Sequence, residues 1–280
     1  MESAKPSKTA LRVALRRAAH QIVDAPLVFE DPLAVRILGE EYWDEIARTP
    51  DKERRPFSAA LRAFLVARSR YAEEQMAAAY ADGVRQYCLL GAGLDTFAYR
   101  HEYAGLTVFE VDQPATQAWK REMLAAAEIE IPDTAKFVPV DFERQGLQSE
   151  LEAAGFRFTE ACFFAWLGVV PYLTLDAFRA TLGLIVGMPP GSGVTFDYGL
   201  PREALPYLEQ LAHDSLASRV ALAGEPFRLF FRPEEVRDEL RQFTRIEDLG
   251  TRDIKARYFA RRHDGLQLKG SAAHLLTAWV

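Results

Sequence analysis

From Gly83 onward, short apolar runs alternate with stretches of helical periodicity, a pattern that few architectures accept. The runs are QYCLLG, TVFEVD, KFVPVD, ACFFAWLG and GVTFDYG, followed by TRIEDLG and AHLLTAWV. Between them lie PATQAWKREMLAAAEI, LDAFRATLGLIV, REALPYLEQLAHDSLASRVAL and RPEEVRDELRQF, with apolar residues three and four apart. Strands that are apolar throughout are buried on both faces. The alternation therefore predicts an α/β fold, a Rossmann-like and mostly parallel sheet with helices on both faces. No long helix separates the last two strands, so an antiparallel, hairpin-like ending is expected.

The preceding residues carry no strand signal. TALRVALRRAAHQIV, DPLAVRILGEEYWDEIA and FSAALRAFLVARSRYAEEQMAAAYA all have helical period, with Thr9 and Asp31 placed as N-caps. The charged RTPDKERRP between the second and third segments predicts a mobile surface loop. The chain thus reads as one domain over residues 1–280, a helical cap over 1–81 and a core over 82–280.

Charge and composition remove several classes of function. Acidic residues outnumber basic ones, 40 to 34, and no lysine or arginine block marks a nucleic-acid or anionic-membrane surface. No apolar run reaches the roughly 18 residues of a membrane span, and the first residues lack a signal peptide's apolar core, which predicts a cytoplasmic protein. Cys88 and Cys162 each lie in an apolar strand and read as reduced core thiols. His20, His101, His213, His263 and His274 are dispersed without metal-ligand spacing, so no metal is expected.

The chemistry concentrates at strand ends. After the first strand, Gly91-Ala92-Gly93 makes a tight turn, with a helix expected to follow, at the carboxyl edge of the sheet, where open α/β folds bind ligands. A dinucleotide turn wants a third glycine near Thr96 and a helix N-terminus for its pyrophosphate. Here Asp95 would set a carboxylate beside those phosphates. S-adenosylmethionine has no phosphate and carries a positive amino and sulfonium group, so it tolerates Asp95, which can equally serve as an N-cap. At the tip of the second strand Asp112, nearer the edge than Glu110, can accept both hydroxyls of a ribose or cap the next helix. Asp141 and Phe142 end the third strand. They could hold an adenine, the carboxylate on its amino group and the ring on its face, or be a turn residue beside a core phenylalanine.

Together these residues resemble the leucine carboxyl methyltransferase-like branch of the class I S-adenosylmethionine-dependent methyltransferases. The resemblance rests on ARSRYAEE (67–74), GVRQYCLLGAGLDTFAYR (83–100), FEVDQP (109–114), VPVDFE (138–143) and WLGVVPYLT (166–174), with FEDPLA (29–34) in the helical cap. It implies that Gly91 meets the methionine part of the cofactor, Asp112 the ribose, and Asp141 with Phe142 the adenine. It further implies that Arg68 pairs with the cofactor carboxylate, a match of guanidinium geometry; on the residues alone, Arg68 could also sit on a solvated helix face. One departure stands out. Leu167 occupies the place where the family often has a glutamate, so contacts at the fourth strand and the substrate of the founding members do not carry over.

These readings predict methyl transfer from S-adenosylmethionine, giving S-adenosylhomocysteine, to the oxygen of a small organic acceptor. Such a displacement needs positioning more than a dedicated nucleophile. A hydroxyl acceptor would gain from a general base, for which Tyr172, Asp197 and Tyr198 are the candidates. Two alternatives remain: an NAD(P)-dependent oxidoreductase, and a non-catalytic protein that binds the same cofactor.

Overall fold

In a computed structural model the chain is described over residues 7–140, 146–222, 224 and 226–280. Five helices come first: α1 (Lys8–Val23), α2 (Leu33–Arg36), α3 (Glu40–Arg48), α4 (Pro50–Arg54) and α5 (Pro56–Ala81). The remaining elements are β1 (Gln86–Leu90), β2 (Thr107–Asp112), α6 (Pro114–Ala126), β3 (Ala135–Pro139), α7 (Leu147–Ala153), β4 (Cys162–Trp166) and α8 (Leu175–Val186), then β5 (Gly193–Gly199), α9 (Tyr207–Ala221), α10 (Pro233–Glu239), β6 (Arg245–Leu249), α11 (Thr251–Tyr258) and β7 (Ala273–Trp279).

The seven strands form one sheet in the order β3-β2-β1-β4-β5-β7-β6. β1 to β5 run parallel, whereas β7 is antiparallel to both β5 and β6. The expected antiparallel ending is present, but not as a simple hairpin, since α11 lies between β6 and β7 and β7 enters between β5 and β6.

Strand alternation explains why the sheet is covered twice. Cys88 and Leu90 of β1 join a core with Phe109, Trp166, Phe178 and Phe196, while Tyr87 and Leu89 join another with Ala72 and Met76 of α5. Farther along α5, Ala63, Val66 and Tyr71 pack on Leu275 of β7 and Ile254 of α11. The long fifth helix is therefore a layer of the fold. β3 lies at one edge and is only partly buried, with Lys136 and Pro139 exposed, as an outer strand should be.

Three local expectations change. Ser7, not Thr9, caps α1, its Oγ accepting from Ala10 N at 3.1 Å. The second helical segment breaks at Gly39, whose φ of +83° suits glycine, and splits into α2 and α3. The charged stretch expected as a loop contains α4, which has proline in its first turn. Cys88 and Cys162 are buried free thiols. Among the described residues no helix is long and apolar enough to cross a membrane.

Candidate active site

The carboxyl ends of β1, β2 and β4 meet α1 and α5 around a cavity of about 500 Å³. This is where the chain order reverses, β2 lying to one side of β1 and β4 to the other.

The glycine turn forms one wall. Gly91 (φ +73°) and Ala92 donate from their backbone N–H groups to Val111 O at 2.8 and 3.0 Å, and a Cβ on Gly91 would run into the Val169 side chain. Gly93 N donates to Asp112 Oδ2 at 2.6 Å, and Gln113 N donates to Asp112 Oδ1 at 2.7 Å. Asp112 thus ties the tip of β2 to the turn while lining the cavity. The α-helix expected after the turn is absent: the chain makes a single 3₁₀ turn, Phe97–Tyr99, and goes back to β2. Asp95 caps that short turn, its Oδ1 accepting from Phe97 N at 2.8 Å. The glycine turn itself leads into no α-helix among the described residues, so it lacks the helix N-terminus with which a dinucleotide turn holds its pyrophosphate.

Behind the turn lies a buried ionic network that sequence reading missed. Arg17 of α1 reaches the carboxylate of Asp31, Asp95 Oδ2 at 3.2 Å and Thr96 Oγ1 at 3.0 Å. Thr96 Oγ1 stands 2.8 Å from both oxygens of the fully buried Asp31. Arg100 Nε donates to the same hydroxyl at 3.2 Å, and its Nη1 donates to Glu73 Oε2 at 3.0 Å. Burial alone would raise the Asp95 carboxyl, but the Arg17 and Arg100 guanidiniums outweigh it and hold Asp95 below its ordinary value. For Glu73 burial prevails over Arg100 and pushes the carboxyl up. The residue missing from a dinucleotide fingerprint, Thr96, therefore has a structural task here. Its signal in the sequence was FEDPLA, read above only as part of a resemblance.

Arg68 is buried on α5 and lines the cavity, its Nη1 donating to Asp197 Oδ2 at 3.1 Å. Asp197 also accepts from Gly168 N at 2.5 Å, so both of its oxygens are occupied and it does not line the cavity. Of the three candidate bases it is one that the structure places away from the cavity lining. Alternation along β5 turns Tyr198 to the opposite face, where its hydroxyl bonds Asp248 at 2.8 Å and lies 3.1 Å from His274 Nδ1. Tyr198 likewise does not line the cavity. Tyr172 does line the cavity, its ring 5.3 Å from that of Phe227, on the wall with Leu167, Val169 and Arg228. Asp141 and Phe142 lie outside the described residues. Among the described residues no group of three or more His, Cys, Asp or Glu could hold a metal ion.

A mostly parallel sheet whose last strand enters antiparallel, with its cavity at the reversal point, is the class I methyltransferase arrangement, and solved structures share it. A Thermobifida fusca protein named as a methyltransferase superposes with a TM-score of 0.57 at 18% identity, covering 99% of this chain and 96% of that one. A DUF574 family protein from Streptomyces avermitilis gives 0.56 at 19%, over 88% and 94% of the two chains. The chain belongs to the leucine carboxyl methyltransferase family of S-adenosylmethionine-dependent methyltransferases, whose model matches residues 10–186. Bacillus subtilis YktD, named for S-adenosylmethionine-dependent methyl transfer, is 31% identical and covers 95% of each chain. A similarly named protein of Mycobacterium sp. strain KMS is 32% identical over 84% of this chain and 72% of its own length.

Proposed function

We propose that the enzyme transfers a methyl group from S-adenosylmethionine to the oxygen, carboxyl or hydroxyl, of a small organic acceptor. The cavity supports this by having two unlike walls. Along β1 and β2, a turn with no side chain larger than the Ala92 methyl and the Asp112 carboxylate suit an adenosyl ligand that has hydroxyls and no phosphate. Arg68, fork-shaped and cationic, suits the amino-acid carboxylate of that ligand. Asp141 and Phe142 would serve the adenine, on the resemblance alone.

The adjoining part of the cavity, lined by the residues after β4, would take the acceptor. Leu167, Val169 and Tyr172 give it apolar and aromatic surface, and Arg228 adds a guanidinium that makes no side-chain hydrogen bond or ion pair among the described residues. A cavity of about 500 Å³ is in the range of small-molecule sites. When bound, S-adenosylmethionine supplies a methyl group already activated by its sulfonium. The protein's part is to hold the acceptor oxygen in line and to exclude water, a role for the α1 side of the cavity and the segment after α9. A carboxylate acceptor needs no base, and Tyr172 is the candidate of the original three that lies where a hydroxyl acceptor would need one.

Calorimetry with S-adenosylmethionine, S-adenosylhomocysteine, NAD and NADP, on the native protein and Asp112→Ala, tests the donor half of the reading. Only the adenosyl ligands should bind, and the variant should lose about tenfold or more in affinity. Binding of NAD in their place would sink the reading. Release of S-adenosylhomocysteine with a panel of small carboxylic acids and phenols tests the acceptor half; tight donor binding with no turnover on any would favour a non-catalytic binder.

A further inference from the structure

Asp197, which does not line the cavity, has an arrangement of its own. Three distant pieces of chain meet there: α5 through Arg68, the end of β4 through Gly168, and β5 through Asp197 itself. Its two oxygens divide the work, Oδ2 accepting from the guanidinium at 3.1 Å and Oδ1 from the Gly168 N–H at 2.5 Å. Only 8% of the Arg68 side chain and 7% of the Asp197 side chain is exposed, so solvent does little to reorient them. Gly168 has a φ of +69°, and a Cβ there would stand 2.7 and 2.8 Å from the two terminal guanidinium nitrogens. The guanidinium therefore lies against bare backbone with one nitrogen held by Asp197. Its remaining donors bond no acceptor among the described residues, while the side chain lines the cavity.

We propose that Asp197 is a positioning residue: with Gly168 it orients the Arg68 guanidinium so that its open donors meet the carboxylate end of the methyl donor. This rests on the reading of Arg68 given under Proposed function. An arginine side chain has several rotatable bonds, and fixing them before the ligand arrives removes that ordering cost from binding. Charge alone predicts the reverse. Asp197 is a second negative group beside the same guanidinium, so neutralising it would tighten a carboxylate ligand if orientation did not matter.

The two accounts separate with S-adenosylhomocysteine and 5′-methylthioadenosine, which share the adenosyl thioether but differ in the amino-acid end. Affinities of both are measured for the native protein, Asp197→Asn and Gly168→Ala, each checked by its melting transition. Gly168→Ala reaches the same guanidinium from its other side and keeps the proposal testable if Asp197→Asn does not fold. The expected result is a loss on the order of tenfold for S-adenosylhomocysteine in either variant, with methylthioadenosine changed less than about twofold. Equal losses for both ligands would reduce Asp197 to a packing role, and unchanged or tighter S-adenosylhomocysteine binding would reduce it to a counter-charge; each overturns the proposal. If the native protein binds neither ligand, the methyltransferase reading of the cavity fails first, and this proposal fails with it.

Discussion

The two walls of the cavity are built on opposite plans. Along β1 and β2 the polar side chains are bound to one another, Asp112 to the glycine turn and Arg17, Asp31, Asp95, Thr96, Arg100 and Glu73 in one continuous set. In the part lined by the residues after β4 and by Arg228, Arg228 is exposed and makes no side-chain hydrogen bond among the described residues, and Leu167 and Val169 are only half-buried, Val169 lying against Gly91. A part whose polar groups already satisfy one another is set before a ligand arrives, whereas a part with spare donors is completed by one. What the difference teaches is where stability and specificity are separable.

The comparison breaks most visibly at Arg17. Replacing it with methionine leaves the Asp31 carboxylate buried and without its main counter-charge, and removing one partner of such a pair costs about 3 to 5 kcal/mol. Chemical denaturation should show a loss of that order. Were Arg17→Met as stable as the native protein, the network would be decorative and the contrast between the walls would vanish.

A smaller and pH-dependent effect is expected from Asp95. Its folded carboxyl lies below the ordinary value, so it contributes stability that is fully present above about pH 4 and is lost as pH falls through the folded value. Asp95→Asn should therefore lower the melting temperature most at neutral pH and least in acid, which flattens the acid side of the melting profile. An unchanged acid limb would show that another carboxylate governs it.

The smallest structural effect should come from the open wall. Arg228→Gln should alter stability by less than about 0.5 kcal/mol and leave S-adenosylhomocysteine affinity unchanged, while KM for an anionic acceptor rises. A matching loss of donor affinity would mean that the walls are not independent.

The contrast also divides what could be read from the sequence. The order of strands, the glycine turn and Asp112 were legible because each depends on local pattern: an apolar run, a missing Cβ, a carboxylate at the last position of a strand. Arg68 required the resemblance, since a helical arginine can face either way until its layer is known. The Arg17–Asp31–Thr96 set was not legible, because residues 17, 31 and 96 come from three elements and no spacing rule links them. Asp197 and Tyr198 show a finer limit. Alternation assigns them to opposite faces of β5, but not which face looks toward the ligand, and that is decided by α5 packing above β4, β5 and β7. The helix expected after GAGLDT failed for a similar reason: the space beside β1 is filled by α5, and a 3₁₀ turn suffices to return the chain to β2.

The late entry of β7 has a consequence for how the protein is made on the ribosome. β6 touches the rest of the sheet only through β7, which is synthesised more than twenty residues later, so a growing chain that has already emitted β6 cannot yet dock it. Until residues 273–279 leave the exit tunnel, β5 presents an unpaired edge and β6 has no strand to pair with. A premature stop near the end would thus cost the protein two strands for the price of one.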